Sequence, residues 1–336
     1  MEKLIAKINN LLKEKGFETF LFDFPQSSRS NYCYDLIVKK GKSVFIVKVF
    51  SNIDNINDEI IQGIKVLSTL FNSKPILIGI KNRYQNLEDN TIYIREELPF
   101  ITIRTLKRIL SKNLYPHVLA RRGGGVVFLD GALMKSLREE KKISRKELSE
   151  ELGVTKRTVC SYESENMRPS QEIAEKISEI LENNYIFRNI NVIDWKFDYD
   201  IEKDNNVQIK ELNSFEEHIK NILIDMGIKS YWYKNGQFPF EFIISSHKTE
   251  FKSKKIYYPM FSDISEAKDK LKSINYDSLR KFTRLFHRYA LFIINNNLKI
   301  PGFLQESQIP VIKLRNLEKM DDEQEFLKFI EDFMQF

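Results

Sequence analysis

Two adjacent cations, Lys156 and Arg157, follow a residue that is typical of a helix N-cap, Thr155. Lysine and arginine at the exposed start of a helix can donate hydrogen bonds to phosphate oxygens or to guanine O6 and N7. Residues 132–181 hold ten Lys/Arg and ten Asp/Glu, so the segment is neutral overall. Its acids nevertheless concentrate away from these two cations, and binding one face to a polyanion requires segregated charge. The competing interpretation is an ordinary solvated helix face.

Other kinds of chemistry find little support in the sequence. The four histidines and two cysteines are scattered and lack the spacing of zinc ligands. The run Gly123–Gly125 does not continue into a phosphate-binding loop. We expect Cys33 and Cys160 to be small buried apolar residues in a reducing compartment. Neither a metal nor an organic cofactor is predicted.

Length and composition predict a globular protein of two or three domains, since the chain has 336 residues, of which 42% are hydrophobic and 30% charged. A net charge of +6 permits binding of nucleic acid without requiring it. The sequence contains no apolar run long enough to predict a membrane helix, and its first ten residues lack a signal-peptide core. A cytoplasmic protein without a membrane partner is therefore expected.

Four short helices are predicted around the two cations. Ser144 and Glu147 have the spacing of a capping box at the start of the second helix. Gly153 supplies the turn that two steeply crossing helices require. The third helix is predicted over Lys156–Glu163, and Ser170 caps the fourth.

This segment strongly resembles the helix-turn-helix of the Cro and phage-repressor (XRE-type) family. The caps, the turn glycine and the core positions all agree with the resemblance. One departure follows the third helix, where Glu165 stands in place of the usual glycine and Asn166 is expected to adopt the left-handed conformation instead. The residues that carry the resemblance are Leu137-Arg138, Ile143-Ser144-Arg145, Glu147-Leu148, Leu152-Gly153-Val154, Thr158-Val159, Tyr162-Glu163 and Pro169-Ser170.

The resemblance implies a role for each matching residue. Lys156, Arg157 and Ser161 would face the major groove from the recognition helix. Arg138 and Glu163 would form a structural ion pair that links the first helix to the third. The remaining DNA-binding residues, which would contact the sugar-phosphate backbone or lie at the start of the recognition helix, are Arg145, Thr155, Thr158 and Arg168.

On either side of this segment, β-type runs alternate with helices in the order α-β-β-β-α-β, which favours mixed sheets. Two stretches of similar sequence recur in the same order, namely Leu98–Leu106 with Ile309–Leu317 and Phe50–Ile53 with Phe261–Ile264. They favour an internal duplication, with two unrelated α/β domains as the alternative. The predicted fold class is α/β (α+β), with duplicated flanking domains around an all-α helix-turn-helix domain.

Domain boundaries follow from this pattern. An α/β domain is expected over residues 1–118, and a flexible, basic, Gly-rich linker with a short strand over 119–131. The helix-turn-helix domain is expected over 132–184, a connector over 185–213, and the second α/β domain over 214–336.

The order of elements in residues 1–118 resembles the restriction-endonuclease-like, or PD-(D/E)xK, fold. The resemblance implies two carboxylates that hold Mg²⁺ and a lysine that helps to activate water. Asp35 and Lys48 match, but Ile46 stands where the second acid belongs and cannot bind a hard cation. We therefore interpret Asp35 and Lys48 as a leftover ion pair or a surface strand pair and predict an inactive site, unless Glu14 or Glu18 supplies the missing acid. The matching positions in the second half hold Glu241 and Pro259.

The layout of the whole chain resembles a group of archaeal helix-turn-helix transcriptional regulators, on the strength of Arg122-Gly123-Gly124 and Val127–Gly131 before the helical segment. The predicted function is sequence-specific binding of double-stranded DNA by a homodimeric transcriptional regulator, with a small-molecule effector left open. The alternatives are a Mg²⁺-dependent DNA nuclease that uses Asp35 and Lys48, and a protein-binding role for the helical segment.

Overall fold

The N-terminal half of the computed structural model alternates helices with strands, as the sequence predicts. Its first helix buries Ile5, Ile8 and Leu12 at the spacing of one helical face. The elements are α1 (Glu2–Glu14), β1 (Glu18–Leu21), β2 (Leu36–Lys40), β3 (Ser43–Asn52), α2 (Asp58–Leu70), β4 (Ser73–Lys81), β5 (Thr91–Arg95), β6 (Leu98–Ile101), α3 (Ile103–Lys112), β7 (Val118–Arg121) and β8 (Gly124–Val127).

The structure describes residues 1–21, 32–70, 72–121, 124–197, 199, 211–232, 240, 242–246, 260–266, 276–286, 289–300, 302 and 309–334. The chain divides into two compact units. The first comprises Met1–Phe17, Val47–Ile56 and Lys74–Phe197, and the second comprises Glu18–Ile46, Asn57–Ser73 and Asp198–Phe336.

Strands β1 to β8 follow the order β1-β2-β3-β4-β6-β5-β7-β8. The sheet contains both antiparallel pairs, such as β1 with β2 and β5 with β6, and parallel pairs, such as β4 with β6 and β5 with β7. This arrangement confirms the predicted mixed sheet. Strand β5 was not predicted from the sequence.

The segment that was expected to be a flexible joint is instead a β-hairpin. Strands β7 and β8 are antiparallel, with Ala120 opposite Gly125 and Arg121 opposite Gly124, and residues 122–123 lie outside the described part. Val118 also pairs with Thr91 of β5. The glycines indicate local freedom, whereas backbone hydrogen bonds to neighbouring strands hold Val118–Arg121 and Gly124–Val127 in place.

A group of helices follows the hairpin: α4 (Gly131–Glu140), α5 (Arg145–Leu152), α6 (Lys156–Glu163) and α7 (Gln171–Leu181). Two 3₁₀ turns, Asn184–Ile186 and Val192–Asp194, come next. Among the described residues, no helix has both the length and the apolar character needed to cross a membrane.

The C-terminal half contains α8 (Ser214–Asp225), β9 (Ile228–Trp232), β10 (Phe242–Ser246), β11 (Met260–Ser265), α9 (Tyr276–Phe286), β12 (Ala290–Ile294), β13 (Val311–Lys313), α10 (Leu314–Leu317) and α11 (Glu323–Met334). Its sheet has the order β13-β12-β11-β10-β9, which matches β6-β4-β3-β2-β1 of the first half. Directions agree as well, since β9 and β10 are antiparallel and β12 and β13 are parallel. This agreement supports an internal duplication.

Strand β11 begins at Met260, the first residue described after a gap at residues 247–259. The predicted nuclease positions Glu241 and Pro259 both lie outside the described residues.

Candidate nucleic-acid interface

The start of α5 is fixed by the predicted capping box. The Glu147 backbone N–H donates to Ser144 Oγ at 3.1 Å, and the Ser144 backbone N–H donates to Glu147 Oε2 at 2.7 Å. Two interactions with Ser144 lower the pKa of the Glu147 carboxyl group. The hydrogen bond from the Ser144 backbone N–H contributes most, and the Ser144 side chain contributes next. The reciprocal pair satisfies two N–H groups that have no partner within the helix.

The turn between α5 and α6 places the start of α6 where the sequence predicts it. Gly153 ends α5 in the left-handed conformation, with φ +66°. Thr155 then caps α6, because its Oγ1 accepts a hydrogen bond of 3.1 Å from the Thr158 backbone N–H. Lys156 and Arg157 are consequently the first two residues of α6.

A common apolar core holds the four helices and the preceding hairpin together. The buried residues of this core come from β7, β8, all four helices and the segments next to them. They are Val118, Val127, Leu129, Met134, Leu148, Leu152, Val159, Tyr162, Ala174, Ile177, Leu181 and Ile186. The helices are thus continuous in packing with the hairpin, and we refer to residues 118–188 as the helical module.

The C-terminal end of α6 is held by two arginines. Arg138 Nε donates to Glu163 Oε1 at 2.6 Å, and Arg145 Nε donates to Glu163 Oε2 at 2.8 Å. The side chains of Arg138 and Glu163 are only 7% and 3% exposed, whereas that of Arg145 is 35% exposed. Glu163 raises the pKa of Arg145 through this hydrogen bond. The resemblance implied the first contact, whereas the bond to Arg145 was missed.

The loop after α6 differs from the expectation. Glu165 itself adopts the left-handed conformation, with φ +60°, and Asn166 does not. The Glu165 carboxylate accepts hydrogen bonds from the Gly131 backbone N–H at 3.2 Å and from Arg188 at 2.6 Å. These two bonds compensate the backbone cost that a glycine would avoid. Arg188 was not among the residues singled out from the sequence.

Gly131 allows α4 and α6 to approach closely. A Cβ atom added at this position would lie 2.3 Å from the backbone oxygen of Glu163. The first helix of the module therefore fixes the third through both a buried ion pair and a backbone approach that excludes a side chain.

Lys156 and Arg157 are both exposed and form no ion pair with any described residue. Most other cations of the module have acidic partners. The paired cations are Arg138 and Arg145 with Glu163, Lys141 with Glu182, Lys146 with Glu150, Lys176 with Glu172, and Arg188 with Glu165. Arg121, Lys135, Lys142 and Arg168 also lack acidic partners within the described residues. The start of α6 is thus an exposed tip with two adjacent uncompensated charges.

The other residues implied to contact DNA lie in varied settings. The Ser161 hydroxyl donates to the Arg157 backbone oxygen at 3.0 Å, so its hydrogen is engaged within α6. The Arg168 guanidinium lies over the Phe128 ring, 3.8 Å from the ring centroid, and remains exposed. Cys33 is buried, but Cys160 is exposed, so the expectation for Cys160 was wrong. It follows Val159, which occupies the buried face of α6.

The nuclease-like positions are buried. Asp35, just before β2, and Lys48, in β3, are 2% and 4% exposed, so the interpretation as a surface strand pair was wrong. Ile46 of β3 is fully buried, whereas Glu14 and Glu18 are exposed. Within the described ranges, no group of three acids, histidines or cysteines could hold a metal ion.

Fold and site together define a helix-turn-helix protein that carries a nuclease-like α/β domain on its N-terminal side. A family model described as "PD-(D/E)XK superfamily domain" matches residues 1–116, and one described as "Helix-turn-helix" matches residues 134–184. No solved structure matches the chain.

Curated archaeal relatives match nearly the whole chain. One from Methanobrevibacter smithii, named "Putative HTH-type transcriptional regulatory protein", is 31% identical over 330 residues, which cover 98% of this chain and 97% of the relative. Relatives with the same type of name from Methanothermobacter thermautotrophicus and Methanocaldococcus jannaschii are each 27% identical; the matches cover 98% and 90% of this chain and 96% and 89% of the relatives, respectively. The chain belongs to this family of archaeal HTH-type transcriptional regulatory proteins. The predicted class of regulator is thereby confirmed at the level of the family.

Proposed function

We propose that this protein regulates transcription as a homodimer that binds double-stranded DNA sequence-specifically, with α6 in the major groove. One observation carries the proposal: Lys156 and Arg157 form an exposed pair of charges without acidic partners among the described residues. A major groove about 12 Å wide admits a helix, and a guanidinium can donate to both O6 and N7 of one guanine.

The setting of each residue suggests its contact. Arg157 and Lys156 would donate to base edges, and Ser161, whose hydrogen is engaged, would accept from one. A guanidinium carries five N–H donors, of which Arg145 gives only Nε–H to Glu163, so its terminal groups can bind a phosphate. Arg168, held over Phe128, would bind another phosphate, and Thr155 and Thr158 would lie against the sugar-phosphate backbone.

The test begins with selection of bound duplexes from random DNA. Affinity for the selected site is then measured by fluorescence anisotropy for the parent, Lys156→Ala and Arg157→Ala. Lys176→Ala is the matched control, because Lys176 is an exposed lysine of the same module that pairs with Glu172 on α7. We expect both α6 variants to bind the site more weakly and the control to bind as the parent does. Equal affinities for all four proteins would contradict the proposal.

A homodimer would place two α6 helices in successive major grooves, about 34 Å apart along the duplex. The selected site should accordingly be a near-palindrome with half-site centres about 10 base pairs apart. Sedimentation of the free protein and of its complex with that site should give two chains in each case. One chain per duplex on a site without symmetry would contradict the dimer.

A further inference from the structure

Helix α3 carries a second group of exposed cations, outside the module. Arg104, Lys107, Arg108 and Lys112 occupy positions i, i+3, i+4 and i+8, so they lie on one face of the helix. All four are exposed. The opposite face is buried and includes Leu106 and Ile109. We call these four residues the α3 face.

The protein itself compensates little of this charge. Arg104 Nη1 lies 3.4 Å from Asp89 Oδ2, but its side chain is 82% exposed, and such pairs contribute little. The other three cations form no ion pair within the described residues. The first turn of α3 contains Arg104 and no acid, which opposes the helix dipole. Lys112, in the last turn, favours the dipole, so the stability of α3 accounts for only part of the charge pattern.

The α3 face is held in a fixed position. Thr102 caps the helix by accepting a hydrogen bond of 3.1 Å from the Thr105 backbone N–H, and the Thr102 hydroxyl donates to Asp89. At the other end, Asn113 closes the helix in the left-handed conformation with φ +54°. Cations on a rigid helix lose less entropy on binding than cations on a mobile tail.

Helix α3 precedes the helical module in the chain and belongs to the same compact unit. Only residues 113–117 separate it from β7, and the His117 ring stacks on Phe187 with a centroid distance of 4.7 Å. Burial, and then Arg108 of the α3 face, lower the pKa of His117, while Glu175 of α7 acts in the opposite direction. One imidazole is thus within electrostatic reach of both α3 and α7.

We propose that the α3 face is a second DNA-binding surface, which contacts phosphates of the duplex that flanks the site read by α6. This inference rests on the proposed function. From Arg104 to Lys112 the helix rises about 12 Å, and the same length of duplex axis holds about three phosphates of one strand at 3.4 Å of rise each. Contacts to phosphates add affinity without sequence preference.

The test compares two triple variants. The first is Lys107→Gln, Arg108→Gln, Lys112→Gln. The matched control removes the same number of charges from exposed positions of α1 in the same compact unit: Lys3→Gln, Lys7→Gln, Lys13→Gln. Affinity is measured against salt concentration on two duplexes, the minimal selected site and the same site with flanks of about one helical turn (roughly 10 base pairs) on each side. Equal thermal midpoints for the three proteins establish that folding is unchanged.

On the long duplex we expect the α3 variant to bind more weakly and to lose about 2 to 3 from the slope of log affinity against log salt, since each phosphate contact contributes about 0.9. On the minimal duplex it should match the parent and the control. An unchanged slope on the long duplex would overturn the proposal and leave an acidic protein surface as the partner of the α3 face. An equal loss of affinity on both duplexes would show that the α3 face does not contact the flanking DNA, and would overturn that part of the proposal.

Arg157→Ala in the same assay separates the two proposals. If Arg157→Ala weakens binding to the minimal site and the α3 variant has no effect, the inference fails while the proposed function stands. If Arg157→Ala has no effect on either duplex, the proposed function fails, whatever the α3 variant does.

Discussion

The two ends of α6 use cationic side chains in opposite settings. At the C-terminal end, Arg138 and Arg145 both donate to the buried carboxylate of Glu163. At the N-terminal end, Lys156 and Arg157 are exposed and have no acidic partner in the described part of the chain. The comparison indicates that charge at one end builds the module, whereas charge at the other end is available to a partner.

The two ends of α6 should therefore respond differently to substitution. Substitutions at the C-terminal end of α6 should change the stability of the fold, because they leave buried groups without compensation. Substitutions at the N-terminal end should change binding and leave stability near that of the parent, because exposed side chains contribute little to folding.

Glu163→Gln should have the largest effect on stability. It removes the carboxylate that compensates two guanidinium groups, one of them in a side chain only 7% exposed. Breaking a buried ion pair from one side costs about 3–5 kcal/mol. Denaturant unfolding measures the loss, with Glu150→Gln as the control, since Glu150 makes only an exposed pair with Lys146. Equal stability of the two variants would break the distinction between the ends of α6.

Arg145 combines features of both ends of α6, because it is bound to Glu163 and yet 35% exposed. Arg145→Ala tests its role. Binding should weaken to a similar extent on all DNA sequences, and the salt slope should fall by about 1, as expected when one phosphate contact is lost. Anisotropy titrations on the selected site and on an unrelated duplex measure both quantities. A loss confined to one base pair of the site would show that Arg145 reads a base instead.

Gly153→Ala probes the turn that places the N-terminal tip. An L side chain at φ +66° is strained, and the expected cost is about 1–2 kcal/mol. No atom lies within 4 Å of the added Cβ, so conformation alone causes the loss. Denaturant unfolding of Gly153→Ala beside Gly153→Asn checks this, because asparagine tolerates the left-handed region better than alanine. Asparagine should recover part of the lost stability. Equal free energies of unfolding for the two variants would contradict a conformational cause.

Glu147→Gln should have the smallest effect on stability, and this effect should depend on pH. The capping box lowers the pKa of Glu147 below its usual value of 4.5. A lowered pKa in the folded state stabilises the fold above the unfolded pKa, and this contribution disappears as pH falls through the folded pKa. Parent and variant should therefore differ in thermal midpoint at pH 7 and converge at acidic pH. A difference that persists unchanged at acidic pH would exclude the carboxylate as its cause.

Local signals explain why much of the module could be predicted. Ser144, Gly153 and Thr155 act through hydrogen bonds and backbone angles within a few residues, so their types fix where α5 begins and ends and where α6 begins. The alternation of strands and helices likewise predicted the mixed sheets. Sheet order depends on pairing between distant segments, and sequence patterns alone do not specify it.

The sequence predictions that differ from the structure have physical reasons as well. Hairpin β7–β8 was taken for a joint because its pairing partner, β5, is far away in sequence and was not recognised. Cys160 was expected to be buried from the average behaviour of cysteine. Helical spacing does indicate that Cys160 is exposed, because Val159 and Tyr162 define the buried face of α6 and Cys160 falls outside it. The bond from Arg145 to Glu163 depends on rotamers that no spacing reveals.

The central claim, that α6 reads base edges through its N-terminal tip, is tested most directly by base discrimination. Affinities of the parent and of Arg157→Ala are measured on the selected site and on every single-base-pair variant of it. The account predicts that Arg157→Ala costs about 1–3 kcal/mol on the selected site and no longer discriminates at one position, while discrimination elsewhere is kept. If the variant keeps the full discrimination profile of the parent, Arg157 does not read the site and the account is contradicted.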